Sequence, residues 1–149
     1  QENQALGRSR GGFGTKIHIK CDKHGWPLAF HLTANQASDS RQFKVLLGIG
    51  PDIVPRGVIT DKGYDAETNR AAARQQGIVP IIPYRSNARA KPKHFPMTLY
   101  RTRARIEQLI GKLKRFKRVA MRCEKTVQNY GALVSMAFVF ILIKCVHTA

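Results

Sequence analysis

Four residues near the carboxyl end, Tyr100, Arg103, Glu107 and Lys114, have the types and spacing for phosphate chemistry. On an α-helix turning about 100° per residue they fall within a sector of about 60°. The apolar residues Ile106, Leu109, Ile110, Leu113 and Phe116 form a neighbouring stripe. A helix docked by that stripe presents a tyrosine, an arginine, a carboxylate and a lysine in a row along its edge. Glu107 is the only acid between Glu67 and Glu124. A single carboxylate among many cations suits a hard metal ion facing phosphates. The competing reading is an exposed pair between Arg103 and Glu107 at i, i+4, and spacing alone leaves both open.

A second carboxylate has a rationale of its own. Gly57–Thr60 (GVIT) reads as a short buried strand, and Asp61 follows it directly. In open α/β sheets functional groups collect at the carboxyl ends of strands. The alternative is a helix cap, a role that Asp65 fits better than Asp61.

The rest of the chain must position these groups. Lys16–Cys21 alternates polar and apolar residues, Asp22–Gly25 is a turn and Pro27–Thr33 is a returning strand, which together predict a β-hairpin. Ser38–Ser40 starts a helix that Gly48 and Gly50 end. A helix over about 66–76 closes at Gly77, and Ile78–Ile82 is another buried strand. Strand, helix and strand in this order give a βαβ unit. The expected organisation is a single partial α/β domain. Residues 1–15 are a flexible basic run-in, 16–83 carry the sheet and helices, and 84–96 are a basic loop. Residues 97–149 are helical, with one long helix over 97–117 and a second over about 126–146. Ala132–Ile143 is apolar except for Ser135, short of the length that spans a bilayer, and is read as a buried core helix in preference to a membrane span.

Composition bounds the function. Lys and Arg number 26 against 9 acids, a net charge of +17, which attracts polyanions. Arg85 to Lys125 alone holds 14 cations and two acids, a phosphate-binding surface in which Arg115 stands beside Lys114. The 43% apolar content supports a folded core, which excludes wholesale disorder. Three scattered cysteines fit reduced thiols rather than a disulfide framework. His18, Cys21, His24 and His31 lack the paired spacing of a zinc site and are read as hairpin residues.

The spacing Tyr100, Arg103, Glu107, Lys114 resembles the Y-(2)-R-(3)-E-(6)-K signature of bacterial insertion-sequence DDE transposases. The stretches RSRGGFGTKIH (8–18), ITDKGYDA around Asp61 and IEQLIGKLKRFKRVAMRCEK (106–125) are similar to the same family, so the resemblance runs over nearly the whole chain. It implies a ribonuclease-H-like mixed sheet and DNA transposition by metal-dependent strand cleavage and transfer. Asp61 would be the second and Glu107 the third metal-binding acid, with Arg103 and Lys114 on transposon-end DNA and Tyr100 supporting them. It further implies Mg²⁺ or Mn²⁺ in a two-metal site, transposon-end and target DNA as partners, a homo-oligomer on DNA, and a cytoplasmic, nucleoid-associated location.

The family's first acid lies on a strand upstream of the Gly-rich segment, and this sequence starts at Gln1. The expectation is therefore a carboxy-terminal part of the catalytic domain, lacking the first strand and inactive until an upstream segment completes it. Asp22, in the hairpin turn, is no substitute. Two rival readings stand: an inactive nucleic-acid-binding transposase fragment, and a basic structural protein bound to RNA.

Overall fold

The computed structural model describes residues 4–10, 12–88, 91–92 and 94–147. They form a mixed α/β chain in two compact units. One joins the described residues up to Ala37 with those from Arg105 onward; the other is Ser38–Ala104.

The first unit is built on a three-stranded antiparallel sheet, β1 (Gly7–Ser9), β2 (Gly12–Cys21) and β3 (Pro27–Ala34), in that order. The predicted hairpin is β2–β3, with Ile17 opposite Leu32 and Ile19 opposite Phe30. Asp22 closes its turn, its Oδ1 accepting from the backbone N–H of His24 and of Trp26 at 2.9 and 2.8 Å. The expected flexible run-in is corrected: residues 7–9 pair with 12–14. Glycine at position 7 allows close packing, since a Cβ there would lie 2.8 Å from Ala34 Cβ. Residues 1–3 and 11 of that stretch lie outside the described residues.

Three helices complete this unit: α4 (Ala104–Lys114), α5 (Lys117–Ala120) and α6 (Val127–His147). Leu109 and Leu113 of α4 are buried with Tyr130, Val134, Ala137, Phe138 and Ile141 of α6, and Ile17, Ile19, Phe30 and Leu32 of the sheet pack against them. The expectation of a buried terminal helix is half corrected. One face of α6 is core, while Met136, Val139, Phe140, Ile143 and Val146 are exposed on the other. Of the described helices, α6 alone is long and apolar enough to cross a membrane by length and composition.

In the second unit β4 (Gly57–Ile59) and β5 (Val79–Ile81) pair in parallel, with α1 (Asp39–Gly48) before them and α2 (Glu67–Gln75) between them. Phe43, Ala73, Ile78 and Ile82 form its core, joined by Leu47, Val58 and Tyr64.

The long helix expected over 97–117 is not continuous. Met97–Tyr100 is a one-turn helix, α3; Arg101–Arg103 winds as a 3-10 turn; α4 begins at Ala104 and stops at Lys114. A 3-10 turn advances about 120° per residue instead of 100°. One wheel therefore does not carry from Tyr100 and Arg103 into α4. Within α4 the seven-residue step from Glu107 to Lys114 still returns nearly to the same face.

Candidate acidic site and nucleic-acid interface

Asp61 owes its position to strand pairing. The parallel ladder of β4 and β5 continues one residue past β4, where the N–H of Thr60 donates to the Ile81 carbonyl at 3.3 Å. Asp61 comes next, in extended backbone, as the cap of a 3-10 turn over Lys62–Tyr64. Its Oδ1 accepts from Gly63 N at 2.8 Å. Asp61 thus caps the 3-10 turn, while α2, the helix whose cap the sequence favoured for Asp65, starts after Ala66 without a side-chain cap. Capping uses one carboxylate oxygen. The other, Oδ2, lies 3.8 Å from Arg103 Nη2, and the Asp61 side chain is 42% exposed. Such an exposed pair contributes at most about 1 kcal/mol, so Oδ2 is open to a stronger cation.

A second acid that the sequence reading passed over meets Asp61. A Cβ on Gly63 would stand 2.9 Å from Asp61 Oδ1 and 3.3 Å from Asp39 Oδ2. Both carboxylates therefore close over the same backbone atom. Tyr64, next along the turn, is half-buried, and desolvation first, then Asp39, then Asp61, push its hydroxyl far above the ordinary tyrosine range. The only hint in the sequence was an acid at the first position of α1, which reads as an ordinary complement to the helix dipole. A prediction follows: Gly63→Ala displaces the Asp61 carboxylate from its cap. If Asp61 is a metal ligand, Mn²⁺ binding is expected to weaken on the order of tenfold, the scale for disturbing a ligand's support, as measured by titration against Gly48→Ala, where a Cβ meets nothing within 4 Å.

Two buried side chains of α2 hold this loop. Asn69 donates from Nδ2 to Ser40 O, Ser40 Oγ and Tyr64 O, each at 3.0 Å. Arg70, 3% exposed, donates from Nη2 to Asp65 Oδ1 and Ile82 O, both at 2.8 Å, and its guanidinium lies 3.8 Å from the centre of the Tyr84 ring. Asp65 in turn accepts from Arg85 N at 2.7 Å. Burial alone would raise the Asp65 carboxyl, but the bonds from Arg85 and Arg70 outweigh it and hold the group below the usual carboxylate range. The sequence reading had Asp65 as a helix cap; it is the ion-pair partner of the buried Arg70.

The other predicted residues divide between the units. Tyr100 and Arg103 belong with Asp61; the Tyr100 ring stands edge-on to Phe95 at 5.3 Å. Glu107, Lys114 and Arg115 belong to the first unit. Glu107 is exposed in the first turn of α4, Lys114 is exposed at its last residue, and Arg115 follows, also exposed. Glu124 pairs with Arg118 on the surface.

Asp61 and Glu107, one in each unit, are both carboxylates, the hard oxygen donor type that Mg²⁺ and Mn²⁺ prefer. Among the described residues no three His, Cys, Asp or Glu side chains stand together as a ready metal site. The cysteines are free thiols, and burial, then Asp22, push Cys21 up to about 11.

Comparison with known proteins adds relatives to this geometry. The family model described as "Transposase DDE domain" matches residues 3–96, a span that takes in Asp61 and stops short of Tyr100. A protein of Burkholderia cepacia named as a transposase for insertion sequence element IS402 is 33% identical over 132 residues, which cover 83% of this chain and 60% of that protein. A Brucella ovis protein named as a transposase for element IS6501 is 32% identical over 138 residues, covering 87% of this chain and 98% of that one. No solved structure matches the chain. The chain thus spans about three fifths of the first relative and nearly all of the second.

Proposed function

Because the chain belongs to the DDE transposase family of bacterial insertion sequences, we propose that it serves DNA transposition by metal-dependent phosphodiester cleavage and strand transfer at element ends. The observation that carries this reading is Asp61, held at the carboxyl end of a parallel strand with one oxygen capped and the other open beside Arg103. Asp61 and Glu107 are the ligands we assign to Mg²⁺ or Mn²⁺, within a ribonuclease-H-like fold. When bound, two such ions activate the attacking hydroxyl and stabilise the leaving oxygen.

The chain's own side chains do the rest. Arg103, Lys114 and Arg115 bind the phosphates of element ends and target, and Tyr100 braces Arg103 through the short turn between them. Asp65 and Arg70 keep the Asp61 loop in one geometry. The protein works on DNA as a homo-oligomer in the bacterial cytoplasm, associated with the nucleoid.

Binding through phosphates has a signature in salt. Each neutralised phosphate contributes about −0.9 to the slope of log affinity against log salt. A labelled duplex titrated at several salt concentrations is expected to give a slope steeper than about −3, and Lys114→Ala or Arg115→Ala should each lower it by about 1 for all sequences alike. A flat response removes DNA as the partner. The chemistry is tested with the protein and a duplex carrying an element end: strand cleavage should require Mg²⁺ or Mn²⁺ and stop with chelator. Binding without cleavage under any divalent ion would leave only the inactive-fragment reading.

A further inference from the structure

The exposed face of α6 follows a regular repeat. Asn129, Ala132, Met136, Val139, Ile143 and Val146 recur at steps of three and four residues, the a and d positions of a heptad, and all six are exposed. They lie nearly opposite the face formed by Tyr130, Val134, Ala137, Phe138 and Ile141, which is spent on the core. A helix with one partner needs one apolar stripe; α6 carries two. We propose that the outer stripe pairs with the same stripe of a second copy, helix against helix, as a short two-stranded seam. This deepens the reading of the chain as a homo-oligomer by naming its surface, and it is testable without DNA or chemistry.

Three observations select a second copy. The stripe matches itself: apolar residues at both a and d accept knobs from an identical helix, and a two-fold pair uses one patch twice. Asn129 stands at an a position, where a single buried amide pair fixes register in a dimer. The area is also of the right order. Met136, Val139, Phe140, Ile143 and Val146 are 47–66% exposed, which offers on the order of 500 Å², comparable to the largest apolar patch of a monomer. A stable pair buries about 800 Å² on each side, which the bordering Leu133, Ser135 and Leu142 bring within reach.

A lipid bilayer is the other apolar partner such a helix could meet, but entering one would strip Val134, Ala137 and Ile141 from the core and expose Ile17, Ile19, Phe30 and Leu32 of the sheet. The net charge of +17 on each copy opposes pairing at low ionic strength. Salt therefore promotes this contact while it weakens DNA binding, because it screens the repulsion and leaves apolar burial intact.

Sedimentation equilibrium of the chain, without DNA, tests this at low and high salt. A monomer–dimer equilibrium is expected, with association tightening at least tenfold from about 0.1 to about 1 M salt. Val139→Glu and Ile143→Glu, each at an exposed site, should weaken it at least a hundredfold while the thermal midpoint of the chain holds. Val139→Ser is the milder variant should glutamate disturb folding, with an expected loss of about tenfold. A wild-type chain that stays monomeric at every salt overturns the proposal. So does a dimer indifferent to all three variants, or binding to neutral phosphatidylcholine vesicles that Ile143→Glu abolishes.

Discussion

Alanine at Asp61 or at Glu107 is expected to take strand cleavage by the protein below detection while affinity for element-end DNA changes less than about threefold. The separation follows from charge. The net charge of +17 comes from 26 cations against 9 acids, and removing one acid strengthens that field slightly, so binding persists. Cleavage instead needs carboxylate oxygens to hold the ions that activate the attacking and leaving oxygens. Asp61→Ala has a second effect, because Asp61 also caps the 3-10 turn through Gly63 N; losing a cap costs about 1 kcal/mol. Asp61→Asn separates the two roles. Its amide oxygen can still accept from Gly63 N, so the turn survives, but the negative charge is gone. Cleavage lost equally in Asp61→Asn and Asp61→Ala, with the Asn variant melting like the parent, assigns the effect to the metal ligand. Glu124→Ala, which removes only a surface pair with Arg118, should cleave normally. If Glu124→Ala loses cleavage and Glu107→Ala keeps it, the assignment of the third acid is wrong.

The sequence was informative where one face of an element has one job. The alternation of Lys16–Cys21 fixed which side of the hairpin faces the core, and Ile17 and Ile19 pack there. Of the predicted stripe, Ile106, Leu109, Leu113 and Phe116 dock as the periodicity predicts, while Ile110 is not among the residues of that core. Asp61 could be placed at a strand end because GVIT is short, apolar and followed at once by polar residues. What periodicity missed depends on contacts distant in sequence. The 3-10 winding at Arg101–Arg103 leaves no mark in a stretch of good helix formers. The meeting of Asp39 with Asp61 at Gly63 joins residues more than twenty apart. Arg70 was legible in principle: three residues before the buried Ala73, it lies on the inward face of α2. The expectation that arginine faces water concealed it. On α6 the sequence showed apolarity nearly all round, which fits a buried helix as well as one with two separate apolar faces.

The buried pair Arg70–Asp65 carries the largest stability effect we expect in the second unit. Arg70→Met fills similar volume but leaves Asp65 facing Ile82 O and the chain at Arg85 without its cation, and breaking one side of a buried ion pair costs about 3–5 kcal/mol. A domain with about 5–15 kcal/mol in total would lose a large part of its stability in urea unfolding. Asp65→Asn should cost somewhat less, because its single amide oxygen can still accept from Arg70 or from Arg85 N, though not from both. The pair also sets a pH dependence. The carboxyl of folded Asp65 sits below its ordinary value, near 3.9 in an unfolded chain. Its stabilisation is therefore fully present above that ordinary value and is lost as pH falls through it toward the lowered one. Urea midpoints measured from neutral pH down to about pH 3 should fall for the parent, and fall less steeply for Asp65→Asn. Hydrogen exchange locates the effect. In Arg70→Met the N–H groups of Gly63 and Tyr64, bonded to Asp61, should exchange before those of α2, since Arg70 ties Asp65 to Ile82 and thereby anchors the loop that carries Asp61. Unchanged protection at Gly63 and Tyr64 alongside a lowered urea midpoint would show that the pair supports the core of this unit and does not position the acid.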